Sequence, residues 1–103
     1  MRTIECIRFR SCQPIGQTLA KQLLDNFNQK ARSQGLLMTV WLDKELSGDL
    51  SVHLEKKDTH EAKHQYSSIG LSIEQMLEHH GLVSRRLLVS ATEKANDKTY
   101  GTE

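Results

Sequence analysis

Trp41, Ser51, His53, Arg8 and Arg86 are the residues whose types and spacing can do chemistry together. Trp41 lies in an alternating stretch, residues 36–43, and Ser51 and His53 lie in a second, residues 49–55. Ser47-Gly48-Asp49 supplies turn chemistry between them, so the pair reads as a β-hairpin. On such a hairpin the side chains of Trp41 and His53 share a face, opposite or diagonal, with Cβ atoms about 5–8 Å apart. An imidazole with a pKa near about 6.5 takes a proton from an acidic phenol or enol. The resulting anion can react with oxygen while an indole stacks on the substrate ring. His53 is therefore the candidate catalytic base, and Trp41 the candidate platform. Arg8 and Arg86 offer forked donors to a carboxylate or phenolate at the rim, with Ser51 between. Each has a plainer role: Trp41 packed in a subunit interface, His53 hydrogen-bonded across it, and the arginines paired with Glu55 or a second subunit's carboxylate.

Other chemistries find less support. His60 and His64 have the i, i+4 spacing of a helical metal pair, and His79-His80 adds two imidazoles. No HExxH pattern or nearby cysteine completes a ligand set, so solvated histidines and no metal are expected. Cys6 and Cys12 lack CxxC spacing; Cys6 reads as a small buried hydrophobe, and two cysteines make no disulfide framework, which favours a reducing cytoplasm. There is no Gly-rich phosphate loop, GxSxG elbow or paired-carboxylate pattern. The net charge of +1 creates no field that draws nucleic acid or an anionic membrane. RNA-binding sheets carry two or three aromatics on the open face, where this chain offers Trp41. Apolar runs of about four residues exclude a spanning helix, and a strand pattern within three residues of the start argues against a signal peptide. The expected partners are thus a second copy and a small molecule, without cofactor, nucleic acid or membrane.

The elements that must position these residues follow from periodicity. The 103 residues make one domain over 1–91 and a polar tail over 92–103, mobile or ordered on a partner. Residues 3–11 read as a strand. From Gln17 the period becomes helical, with Leu19, Ala20, Leu23, Leu24, Phe27 and Ala31 in one stripe and Ile15 stapled to its first turn. Gly35 sits where a left-handed residue ends a helix, after Lys30 and Arg32. The hairpin follows. Residues 56–65 are polar, a loop or the first turns of the next helix. Ser67 or Ser68 caps that helix, whose stripe is Ile69, Ile73, Met76, Leu77 and His80, with Gly70 admitting a neighbouring backbone. Gly81 ends it, and residues 82–91 form the last strand. The order β-α-β-β-α-β predicts an α+β, ferredoxin-like fold, a four-stranded antiparallel sheet with two helices on one face.

Two helices cover one face of a sheet. That face takes Ile7, Phe9, Met38, Val40, Leu42, Leu50, Val52, Leu54, Leu87 and Val89. The other takes Cys6, Arg8, Leu37, Trp41, Ser51, His53, Arg86 and Leu88, too apolar for bulk water and too polar for a dry core. Covering its tryptophan and two leucines is worth several kcal/mol at roughly 25 cal/mol per Å². A second copy supplies that cover most economically, its polar members lining a cavity between the sheets.

The element order, with Gly48-Asp-Leu-Ser-Val-His-Leu-Glu55, Ser68-Ile-Gly-Leu71 and Gly81-Leu-Val83, resembles small uncharacterised members of the dimeric α/β-barrel group. The antibiotic biosynthesis monooxygenase domain is the best-known branch of that group. The resemblance covers about residues 3–91. It implies a homodimer with facing sheets and, in active members, cofactor-free oxygenation of aromatic substrates or oxidative attack on haem. Such enzymes place asparagine, tryptophan, histidine or tyrosine around the substrate, and Trp41 and His53 match those types here. The asparagines do not, since Asn26 and Asn28 fall on the first helix and Asn96 in the tail. The expected function is a cofactor-independent monooxygenase acting on a small phenol or quinol. The alternative is a non-catalytic ligand-binding or assembly module whose open face is the dimer seal.

Overall fold

A computed structural model describes residues 2–56 and 66–90. The elements are β1 (Thr3–Arg10), α1 (Gly16–Ser33), β2 (Leu36–Leu42), β3 (Leu50–Lys56), α2 (Ser68–Glu78) and β4 (Leu82–Val89). The strands form one antiparallel sheet in the order β2-β3-β1-β4. This is the expected α+β, ferredoxin-like arrangement. The polar segment at 57–65, with His60 and His64, and the tail at 92–103 lie outside the described residues.

Local chemistry explains the boundaries. Gly35 ends α1 with φ +75, a left-handed conformation costly for a residue with a Cβ, and its N–H donates to the Arg32 carbonyl. At the start of α2, the Ser67 hydroxyl accepts from the Gly70 N–H at 2.9 Å, so Ser67 is the cap. In the β2–β3 loop, Asp43 Oδ1 accepts from the N–H groups of Glu45 and Leu46, both at 2.8 Å. An aspartate-nucleated turn is thus the connection whose type sequence left open.

The core lies between the sheet and the helices. Ile7, Phe9, Met38, Leu50, Val52 and Leu54 meet Leu19, Leu23, Ala31, Ile69, Ile73 and Leu77, all buried. Each large aliphatic side chain among them contributes about 1.5–3 kcal/mol on leaving water. Four expected members stand outside. Leu24 and Leu42 are exposed, as are His80 and Val89. Leu42 and Val89 end the two edge strands, beyond the reach of the helices, while Leu24 and His80 lie at the margins of their stripes. Val83 packs against the core in their place.

One feature of the helix-covered face runs against the pattern. Glu5 on β1 and Arg85 on β4 point into it, where alternation calls for apolar side chains. Glu5 is buried and takes an ion pair from Arg85 at 3.0 Å. It also accepts from the Ser67 N–H at 3.1 Å and the Ser67 hydroxyl at 2.8 Å. Arg85 further pairs with Glu74 on α2 at 2.9 Å and lies under the Tyr66 ring, 4.4 Å from its centroid. The space above Gly70 is filled by the Glu5 carboxyl group, not by a neighbouring backbone as expected from sequence. A buried carboxylate thus locks the first turn of α2 to two strands.

Candidate functional site

The open face is built in ranks, because residues directly paired across antiparallel strands point to the same side. One rank runs Trp41, Ser51, Arg8, Ser84 across the four strands. The next runs Thr39, His53, Cys6, Arg86, and the third Leu37, Glu55, Ile4, Leu88. All eight residues expected on this face are on it. Ile4, Arg10, Thr39, Glu55, Leu82 and Ser84 complete it. In the single chain Trp41 is 56% exposed and Leu82 75%, with Leu37 and Leu88 also exposed. These are large apolar side chains left exposed among the described residues.

A hollow of about 440 Å³ opens at one end of the face. Trp41, Arg8, Arg86 and Ser51 line it, so four of the five candidate residues meet there. In the first rank the short side chains of Ser51 and Ser84 alternate with the long ones of Trp41 and Arg8, and all four line the hollow. Arg10, Asp43, Asp49, Leu82 and Ser84 also line the hollow. Sequence reasoning did not single these out, although Arg10 and Ser84 continue the alternation that carries Arg8 and Arg86.

His53 is placed differently. It does not line the hollow but stands one rank away, its ring 6.1 Å from that of Trp41 and tilted by 54°. Burial holds its pKa below the usual 6.5, against the opposing pull of Glu55. A neutral imidazole at physiological pH is the form a general base requires. Cys6, its neighbour in the rank, is buried, and burial raises the thiol pKa in spite of Arg8 and Arg86 nearby. The thiol stays protonated.

The carboxylates near the hollow are largely engaged. Asp49 pairs with Arg10 at 3.3 Å. Asp43 is acidified by its hydrogen bonds from the Leu46 and Glu45 backbones. Glu55, one plain partner considered for the arginines, is instead held by Arg2, whose hydrogen bonds lower its pKa. Arg8 and Arg86 make no hydrogen bond or ion pair with a described residue. Among the described residues, no three histidine, cysteine or acidic side chains come together as a metal site. No helix among them is long and apolar enough to cross a membrane.

No family model matches the chain, and no curated protein matches it. Among solved structures it is similar to that of Rv0793 from Mycobacterium tuberculosis, with a TM-score of 0.58 over 87% of this chain and 95% of that one, at 16% identity. The likeness is one of fold.

Proposed function

We propose that the chain works as a homodimer whose open sheet faces meet, and that the hollow beside Trp41 holds a small aromatic molecule. The observation that carries this reading is the composition of the open face. Trp41, Leu37, Leu82 and Leu88 lie exposed on a face whose polar members Ser51, Ser84, Arg8 and Arg86 line the hollow. Large exposed apolar area favours a protein cover, whereas a recessed polar inset favours a ligand. With the resemblance to the antibiotic biosynthesis monooxygenase domain, the activity this supports is cofactor-independent oxygenation of a phenol or quinol. His53 is the base in that reaction: it removes the phenolic proton, and the electron-rich anion then reacts with oxygen. Trp41 holds the ring, and Arg8, Arg86 and Ser51 bind it at the rim. The position of His53 outside the lining favours a second reading, a binding or assembly module in which the histidine buttresses Trp41 at the dimer seal.

Light scattering and oxygen uptake separate these. The wild type is expected to be a dimer, and Trp41→Asp to shift it towards monomer; a monomeric wild type defeats the sheet-to-sheet pairing. Oxygen uptake with a panel of hydroquinones and phenols is expected to fall by about 10²-fold or more in His53→Ala, the scale of a lost general base. Unchanged uptake removes His53 as the base, and no uptake with any member favours the binding module.

A further inference from the structure

The geometry points to an aryl carboxylate as the ligand class of the hollow, its ring over Ser51 against Trp41 and its carboxylate held by Arg8 and Arg86. This deepens the reading that the hollow is a ligand site and rests on it: the phenol or quinol proposed there would carry a carboxylate as well.

Charge selects the anion. Three arginines and two aspartates line the hollow. Asp49 is neutralised by Arg10, and Asp43 turns one oxygen back onto two backbone N–H groups of its own loop. The lining keeps one net positive charge, and Arg8 and Arg86 stand outside any hydrogen-bonded ion pair among the described residues, with Arg8 acting at longer range on Asp43. The two arginines are diagonal neighbours on adjacent strands, since Arg8 pairs with Ser84 and Arg86 stands two residues on. Cys6, directly across from Arg86, is a buried thiol whose pKa burial raises, and it offers no counter-charge. Two guanidinium groups on one side of a recess are suited to a planar carboxylate, which accepts parallel N–H donors from a fork.

Spacing selects the aromatic half. Trp41 and Arg8 lie in the same rank with Ser51 between them, two strand spacings apart, so about 10 Å separates their backbones. The serine makes a low floor in that interval. A single ring with its carboxylate spans it, the ring meeting an indole face and the charge meeting the guanidinium groups. Inorganic phosphate would use the arginines and leave Trp41 idle. A neutral aromatic would use Trp41 and leave the net positive charge of the lining without an anion.

Titration calorimetry of the full chain with benzoate, benzyl alcohol and inorganic phosphate tests this. Benzoate is expected to bind, at least tenfold more tightly than either of the others. Arg8→Met and Arg86→Met are each expected to weaken benzoate about tenfold or more, and Trp41→Leu likewise. Circular dichroism checks that these exposed sites leave the fold intact. Arg8→Lys, which keeps the charge and loses the fork, is expected to recover only part of the affinity. Benzyl alcohol binding as tightly as benzoate overturns the role of the arginines, and phosphate doing so overturns the role of Trp41. Sedimentation of the same samples separates this claim from the dimer. A monomer that binds benzoate sustains the ligand class while the pairing fails, and a dimer that ignores benzoate refutes the ligand class alone.

Discussion

At the scale of single residues, the open face and the covered face differ in how far alternation reveals them. Trp41, Ser51 and His53 were legible because each occupies an odd place in a strict alternation, so assigning one assigns the rest. Glu5 and Arg85 were not, because a charged residue at an inward position breaks the same pattern and reads as a flaw in it. Their partnership depends on contacts across 80 positions of sequence. Replacing Arg85 by alanine leaves Glu5 buried beside Glu74 without a counter-charge. The expected loss is about 3–5 kcal/mol, read from urea unfolding midpoints. The double variant Glu5→Leu with Arg85→Met is expected to be more stable than Arg85→Ala, since the buried carboxylate that loses its counter-charge there is gone. His53 gives a prediction of opposite kind. Burial lowers its pKa in the folded chain below 6.5. Below 6.5 the unfolded chain takes up a proton there that the folded chain refuses, so stability falls as pH falls through this window and recovers above it. The His53→Gln variant is expected to show a flatter stability profile across it. Any catalysed reaction that needs the neutral imidazole should keep its rate to a pH below 6.5 before failing.

At the scale of elements, the two helices and four strands among the described residues, and their order, could be read from the chain, with ends shifted by a residue or two. The reason is that α1 and the hairpin carry unmixed periodicities, and Gly35 and Ser67 punctuate them. The β2–β3 connection was not legible in kind, since Asp43 acts through a local turn that spacing alone does not specify. Nor was the purpose of Gly70. A Cβ there would stand 1.9 Å from Glu5 Oε2, an atom already held by Arg85. Alanine normally improves a helix interior by about 1 kcal/mol over glycine. Here Gly70→Ala is expected to lower the melting temperature instead, because the carboxyl group must leave its three donors or α2 must lift from the sheet. Restoring stability by pairing it with Glu5→Ala would confirm that the clash is with this side chain.

At the scale of the whole molecule, the sequence displayed a half-apolar sheet face and the structure locates a recess in it. The recess was beyond reach from alternation, because it brings Ser51 and Ser84 together with Trp41, Arg8 and Arg86 across strands. Such juxtaposition appears only once the register is known. Among the described residues, two edge strands and one uncovered face offer two ways to associate, edge to edge or face to face. The face holds the large apolar side chains, so association is expected to fail on Trp41→Asp. Lysine substitution at Leu42, on the β2 edge, is expected to leave it intact by light scattering.

Trp41 is also the chain's single tryptophan. Because it stands on the outer layer and not in the core, its emission colour reports wetting of that layer instead of loss of the fold. If the proposed dimer forms, on dilution the spectrum should move to the red while helical circular dichroism holds constant, separating subunit parting from unfolding in a single unlabelled sample.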